Sequence, residues 1–182
     1  MILGVDKLLK LVKEKKLVEN LCERELTNPE GAGFDLRLGE IFKLKGGGFL
    51  GVEERNTPDT VSIAKYNRKL GEKKNYFVFE PSKYYLVKTV EKVNLPTNLS
   101  GIIFPRTTIF RSGLGLFNGI VQPGYSGELT FGICNLGKNK IKISLGARVV
   151  HITFHEVLGS GNQYRGQWQG GRVSTKNKEK QV

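Results

Sequence analysis

The residue types best suited to chemistry lie between positions 104 and 135. Arg106 and Arg111 flank the hydroxyl groups of Thr107 and Thr108 within a short stretch. A guanidinium group binds phosphate oxygens through paired hydrogen bonds, and hydroxyl groups add short donors. This spacing predicts a basic loop that contacts the phosphates of a ligand. The alternative is that one arginine pairs with Glu128 or another carboxylate at a subunit boundary.

A tight turn follows the basic stretch at residues 122–124, and Tyr125 comes directly after it. From residue 127 to residue 133 apolar and polar residues alternate, which predicts a strand with Leu129, Phe131 and Ile133 on one face. An aromatic ring at a turn beside a basic loop indicates a pocket for a ring and its phosphates. A tyrosine that only fills the core is the alternative for Tyr125.

Five segments resemble motifs of the dCTP deaminase and trimeric dUTPase superfamily. Residues 106–114 (Arg-Thr-Thr-Ile-Phe-Arg-Ser-Gly-Leu) are similar to the deaminase run Arg-Ser-Ser-x-x-Arg-x-Gly-Leu. Residues 121–127 resemble the family turn Ile-Asp-x-Gly-aromatic-x-Gly. Residues 33–39, 146–154 and 164–170 resemble the first motif, the fourth motif and the deaminase tail. With these motifs in family order, the chain is identified as a member of the superfamily.

The resemblance implies which residues bind substrate. They are Arg106, Thr107, Thr108, Arg111, Val121, Tyr125, His151, Trp168, Gln169 and Arg172. The basic stretch would contact the triphosphate, and Tyr125 would pack against deoxyribose and leave no room for a 2′-hydroxyl. The backbone of residues 117–121 would contact the edge of the base. The tail would close over the nucleotide as a lid. For Asp35, in the first motif, a structural and a catalytic role are both open.

Two positions depart from the family pattern at the chemical centre. Gln122 stands where dUTPases have the aspartate that activates water, and glutamine can orient water but cannot act as a base. Gly132 stands where deaminases have a proton-shuttling glutamate. Glu128, on the same strand face, lies four residues away, about 13 Å at the rise of a strand. Gln122 and Thr107 are therefore the catalytic candidates.

These observations predict an enzyme that acts on dUTP or dCTP, with hydrolysis of dUTP to dUMP and pyrophosphate slightly favoured over deamination. A nucleotide sensor that kept the pocket and lost the chemistry is the second interpretation. The resemblance also implies a homotrimer with sites between subunits. Any Mg²⁺ would be carried with the triphosphate, because no side-chain metal site can be assigned. His151 and His155 are too far apart along a strand to form a metal pair.

The elements that must position these residues are mostly strands. Regular short apolar runs separated by Gly and Pro predict an all-β fold, a distorted β-barrel or jelly roll. An amphipathic helix is expected from a cap at Asp6 to about Asn20. A first strand is expected over residues 33–42, and residues 53–75 read as an irregular surface excursion. The prediction is one domain over residues 1–158 and a flexible C-terminal lid over residues 159–182.

Composition bounds the remaining functional classes. The chain has 182 residues and a formal net charge of +12, and charge alone supports a third class, a module that binds nucleic acid. We regard that class as the weakest, because many of the lysines lie in the first helix and the tail. No apolar run is long enough for a membrane helix, so a cytoplasmic protein is expected. Cys22 and Cys134 lack metal or disulfide spacing and read as buried apolar residues.

Overall fold

Strands dominate the computed structural model, which describes residues 1–159, 161–175 and 177–181. The helices are α1 (Val5–Lys15), α2 (Glu23–Thr27), α3 (Thr107–Arg111) and a single 3₁₀ turn at Glu72–Lys74. The strands are β1 (Val18–Glu19), β2 (Phe34–Lys45), β3 (Phe49–Leu50), β4 (Glu54–Asn56), β5 (Asp59–Lys65), β6 (Tyr76–Phe79), β7 (Tyr84–Asn94), β8 (Leu99–Pro105), β9 (Leu114–Phe117), β10 (Ser126–Asn135), β11 (Ile141–Ser144), β12 (Arg148–Glu156) and β13 (Glu179–Lys180).

The main sheet has eight strands and curls into a nearly closed barrel. Its central path runs β8-β12-β2-β7-β10-β9, with β1 added to β7 and β5 added to β2. The strand pairs in this sheet are antiparallel. Small sheets form from β6 with β11 and from β13, β4 and β3. The predicted all-β barrel with an N-terminal helix is confirmed.

The first helix is shorter than predicted. It ends at Lys15, and Lys16 adopts a left-handed conformation (φ 52°) that closes the helix through backbone bonds to Leu11 and Val12. The predicted Asp6 cap is wrong, because Gly4 is the N-cap and Asp6 lies in the first turn. The predicted apolar side is nevertheless the packed one. Leu8 is fully buried against the barrel.

Residues 53–75 are more ordered than an irregular excursion. They contain β4 and the seven-residue strand β5, which pairs with the second half of β2 from Lys45↔Asp59 to Glu40↔Lys65. The charged residues around this strand obscured it, and none of its own residues is fully buried. The first strand also runs past its predicted end at Phe42, to Lys45.

The core lies inside the barrel and continues beneath the β6–β11 sheet. Phe34 and Phe154 meet edge to face with ring centroids 6.3 Å apart. Phe77, Phe79 and Tyr85 form a second group of perpendicular rings. Cys22 and Cys134 are free thiols and only partly buried, in contrast to the full burial expected. No helix in the described part of the chain is long and apolar enough to cross a membrane.

Candidate functional site

The basic stretch leaves strand β8 and forms the five-residue helix α3 rather than the predicted loop. Ile109 anchors this helix in the core, whereas Thr107, Thr108 and Arg111 are exposed. The backbone N–H of Arg106 donates to the carbonyl oxygen of Val149 at 3.0 Å, which ties the start of the helix to β12. The exposed residues are therefore presented on the surface by a fixed backbone.

Arg106 is held by a carboxylate of the first motif. Its Nε lies 2.9 Å from Oδ2 of Asp35, and a guanidinium nitrogen of Arg148 lies 3.1 Å from the same oxygen. Nδ1 of His151 lies 2.9 Å from the other oxygen, Oδ1. Arg106 thus pairs with a carboxylate of its own chain, Asp35 rather than Glu128. The predicted pairing at a subunit boundary stays a prediction.

Opposing effects act on the pKa of Asp35. Burial by itself raises this pKa, but the hydrogen bond from His151 and the positive charges of Arg106 and Arg148 outweigh burial and lower it below its ordinary value. A buried carboxylate, Glu25, completes the cluster. It accepts a hydrogen bond from the backbone N–H of Asp35 at 2.9 Å and lies 3.3 Å from Arg148. Asp35 is therefore ionised and serves as the centre of an ion-pair cluster.

A separate cavity of about 430 Å³ opens between the barrel and the C-terminal tail. Its walls are mainly apolar, with a few polar groups, which is the usual character of a site for a small organic ligand. The lining residues that carry a polar group or a predicted role in binding include Tyr84, Val121, Gln122, Tyr125, Thr130, Tyr164, Trp168 and Arg172. No aspartate or glutamate among the described residues lines it.

The turn at residues 122–125 forms one wall of the cavity. Gln122 is exposed, and its backbone oxygen accepts a hydrogen bond from the Tyr125 N–H at 3.1 Å. The Tyr125 side chain is buried, its hydroxyl donates to the Glu128 carbonyl oxygen at 2.7 Å, and burial raises its pKa to about 12. Val121 exchanges two backbone hydrogen bonds with Gly101, so its own N–H and carbonyl oxygen are already committed.

The tail packs on this turn because glycines leave room for it. Gly124 has φ 79°, and a Cβ at Gly127 would lie 2.7 Å from the Gly170 carbonyl carbon. Gln169 accepts a hydrogen bond from the Ser126 N–H and donates one to the Gly124 carbonyl oxygen, both at 3.1 Å. The side chain of Gln169 therefore docks the tail onto the barrel. The mobility predicted for residues 159–182 without ligand stays a prediction.

Two other tail residues reach the cavity itself. The Trp168 ring packs under the guanidinium of Arg55, 5.5 Å from the ring centroid. Arg172 pairs with both carboxylate oxygens of Glu179, with one contact at 3.1 Å. Arg172, the tail arginine predicted to cover the nucleotide, is thus also held by a carboxylate of its own chain.

Gly132 faces a side chain that sequence reasoning missed. A Cβ at position 132 would stand 2.6 Å from Cζ of Tyr84 and closer still to its hydroxyl oxygen. One pleat away, the Thr130 hydroxyl is sealed from solvent and has no hydrogen-bond partner among the described residues. The space beside Gly132 is therefore occupied by a phenol.

The predicted site residues fall into two groups in a single chain. Val121, Gln122, Tyr125, Trp168 and Arg172 line the cavity. Five others do not line it, namely Arg106, Thr107, Thr108, Arg111 and His151. Gln169 does not line the cavity and docks the tail on the turn beside it.

Among the residues missed, Arg148 and Glu25 complete the ion-pair cluster, and Tyr84 and Tyr164 line the cavity. Arg148 sits in the fourth motif, where its charge was a usable signal. Tyr164 is the first residue of the tail motif, which was a usable signal as well, whereas Tyr84 lies in no motif. Within the described residues, no three His, Cys, Asp or Glu side chains come together as metal ligands.

Comparisons with known proteins agree with this architecture. The sequence profile of the family described as "dCTP deaminase-like" matches residues 2–157. A dCTP deaminase of Metallosphaera sedula is 34% identical over 179 residues, which is 96% of each chain. A deoxyuridine 5′-triphosphate nucleotidohydrolase of Methanocaldococcus jannaschii is 28% identical over 158 residues, or 86% of this chain and 94% of the relative. A dUMP-forming dCTP deaminase of Persephonella marina is 29% identical over 177 residues, or 96% of this chain and 95% of the relative.

A solved structure supports the fold. The crystal structure of 2′-deoxycytidine 5′-triphosphate deaminase from Agrobacterium tumefaciens superimposes with a TM-score of 0.61 at 19% identity. The match covers 84% of this chain, and the chain spans about half (47%) of the length of that protein.

Proposed function

The chain belongs to the dCTP deaminase-like family, and on this premise we propose that it binds and hydrolyses a pyrimidine deoxynucleoside triphosphate. Hydrolysis of dUTP to dUMP and pyrophosphate is favoured over deamination of dCTP. The observation that carries this preference is the contact of Gly132 with Tyr84. Deamination needs a group that takes up and releases protons at the base. Glycine has no such group, and burial raises the pKa of the Tyr84 phenol, so it keeps its proton.

The cavity assigns roles to individual residues in the hydrolysis. The Tyr125 ring packs against the sugar, and Gln122 orients the water that attacks the α-phosphorus. The bond between the α-phosphorus and its bridging oxygen breaks, and pyrophosphate leaves. Glutamine accepts no proton, so the proton of the attacking water passes to solvent or to a phosphate oxygen. Trp168 and Arg172 shield the reacting atoms from bulk water.

The phosphates are assigned to the basic residues, which neutralise charge as pyrophosphate forms. Arg106, Thr107, Thr108 and Arg111 supply hydrogen-bond donors, and Mg²⁺ enters with the triphosphate as part of the substrate. His151 contributes through Asp35, which it orients together with Arg106. Thr107 is exposed at the start of α3, where its hydroxyl is free to contact phosphate.

A homotrimer with sites between subunits is part of the same proposal. Within one chain, Arg106, Thr107, Thr108 and Arg111 do not line the cavity, so the proposal completes the site with these residues from another copy. Light scattering after size exclusion should therefore give three times the chain mass of 20.3 kDa. A cytoplasmic location, where deoxynucleoside triphosphates are found, belongs to this proposal as well.

A binding protein without turnover is the second candidate. It is favoured by a specific observation, namely that no carboxylate among the described residues lines the cavity. Without a general base, hydrolysis loses a factor of about 10² to 10⁴. Such a protein would bind the nucleotide and report its concentration.

The test is an incubation with Mg²⁺ and either dUTP or dCTP, in which pyrophosphate and ammonia are measured in the same samples. Pyrophosphate from dUTP without ammonia from dCTP is the expected result. Neither product, together with tight nucleotide binding, would replace hydrolysis by the sensor function. Ammonia from dCTP would overturn the stated preference.

A further inference from the structure

Tyr84 occupies an unusual place in the main sheet. It begins strand β7 opposite Cys134 of β10, and its ring reaches diagonally across Gly132, which pairs with Leu86. The ring comes within 6.1 Å of the Phe117 ring, centroid to centroid, at a tilt of 51°. The Tyr84 ring thus covers Gly132 of β10, the strand that lies between β7 and β9.

The neighbouring ring of Phe117 leads into the segment that lines the cavity with Tyr84. Phe117 ends strand β9, and the chain continues into residues 119–122, which line the cavity together with Tyr84. Tyr84 therefore lines the cavity close to this hairpin, and Thr130 lines the same cavity.

The hydroxyl of Tyr84 has no hydrogen-bond partner among the described residues. The residue is 42% exposed, so a ligand can reach it. Burial of part of the side chain raises its pKa, so the group is a neutral phenol that can donate and accept. Polar atoms in a mainly apolar cavity are the groups that orient a ligand. The Thr130 hydroxyl, which also lines the cavity, is closed off from solvent and has no partner among the described residues either. Two hydroxyl groups of the lining therefore lack hydrogen bonds within the described chain.

We propose that the Tyr84 hydroxyl hydrogen-bonds to the pyrimidine base and is a specificity-determining contact of the cavity. This inference rests on the proposed function, because it places a nucleotide base beside Tyr84 in the cavity. Residue 132 must then be glycine, since any side chain there would displace the hydroxyl from its position.

A purely structural role makes a different prediction. An aromatic ring over a strand glycine stabilises neighbouring strands by covering the exposed backbone. That role needs the ring of Tyr84 but not its hydroxyl. Tyr84→Phe keeps the ring and removes the hydroxyl, so this substitution separates the two roles.

The experiment is isothermal titration calorimetry with two probes. One is α,β-imido-dUTP, which resists hydrolysis, and the other is a 2′-deoxyribose 5′-triphosphate analogue that lacks a base. Tyr84→Phe should weaken binding of α,β-imido-dUTP about 3- to 10-fold, the worth of one hydrogen bond. Binding of the base-free probe should be unchanged.

Tyr76→Phe is the matched control, because Tyr76 is 40% exposed and does not line the cavity. It should leave both affinities unchanged. Equal affinity of Tyr84→Phe and wild type for α,β-imido-dUTP, or an equal loss for both probes, would overturn the Tyr84 inference and leave the proposed function standing. A wild-type protein that does not bind α,β-imido-dUTP would overturn the proposed function and the inference together.

Discussion

Nε of Arg106 lies 2.9 Å from Oδ2 of Asp35, so the first arginine of the phosphate motif is anchored by a buried carboxylate of the same chain. Asp35 also contacts Arg148 and His151, and its side chain is only 8% exposed. The carboxylate therefore determines where three cationic or ionisable groups stand. Asp35 therefore links the stability of the barrel to the geometry of the basic stretch that begins at Arg106.

Asp35→Asn should lower the free energy of unfolding by about 2 kcal/mol. Breaking a buried ion pair costs more than breaking a surface pair, but Arg106 and Arg148 are partly exposed and regain water. Urea unfolding measures the change. Asp59→Asn, at an exposed aspartate, should change stability by less than about 0.5 kcal/mol. Equal stability of the two variants would mean that the Asp35 cluster does not stabilise the fold.

The stability contribution of Asp35 should depend on pH in a defined direction. Its pKa is lowered in the folded state, so the contribution is fully present above the unfolded pKa of about 3.9. It is lost as pH falls below that value through the lower folded pKa. The difference in unfolding free energy between wild type and Asp35→Asn should therefore be constant from pH 7 to about pH 5 and shrink towards pH 3. A difference that grows on acidification would contradict the assigned shift.

Glu179→Gln should strengthen binding of α,β-imido-dUTP about two- to fivefold. Glu179 holds the Arg172 guanidinium in the cavity wall, and removing its charge frees that cation for phosphate. Titration calorimetry at low salt measures the effect. Glu54→Gln is the control, since Glu54 pairs only loosely with Lys178, at 3.9 Å. Weaker binding by Glu179→Gln would show that Arg172 acts on the nucleotide only when Glu179 holds it in place.

Gly132→Ala and Tyr84→Ala should be coupled in stability. A methyl group at position 132 collides with the Tyr84 phenol, so the alanine should cost about 1–2 kcal/mol more when Tyr84 is present than when it is absent. A double-mutant cycle of urea unfolding measures the coupling. Gly47→Ala adds a methyl group that meets no atom within 4 Å and should show no coupling to Tyr84. Additive effects of Gly132→Ala and Tyr84→Ala would disprove the contact.

Gln122→Asp should raise the rate of pyrophosphate release from dUTP at least tenfold. A carboxylate at this exposed cavity position can accept the proton of the attacking water, which glutamine cannot. Gln122→Asn is the control, because asparagine has the size of aspartate and no basicity. If pyrophosphate release from dUTP is slower in Gln122→Asp than in the wild type, the glutamine already serves an efficient mechanism.

Sequence reasoning succeeded where the signal is local. The alternation of Leu129, Phe131 and Ile133 predicts their shared burial in strand β10, since side chains in a strand alternate with a period of two. The helical spacing that includes Leu8 predicts the packed face of α1 for the same reason. The motifs from Arg106 to Tyr125 identified the superfamily. Local patterns failed at β5, a half-exposed strand inside a segment that is rich in charges.

Which residues meet was decided by the tertiary structure. Strand β12 lies between β2 and β8, and this order sets His151 beside Asp35 and brings Arg106 to the same carboxylate. The pairing of β7 with β10 brings Tyr84 over Gly132. Neither contact can be read from spacing along the chain, because strand order and register depend on the burial of the whole sheet. The residue types along the chain define the chemical groups that are available. The register of distant strands sets Asp35 against Arg106 and Arg148 and places a phenol beside Gly132.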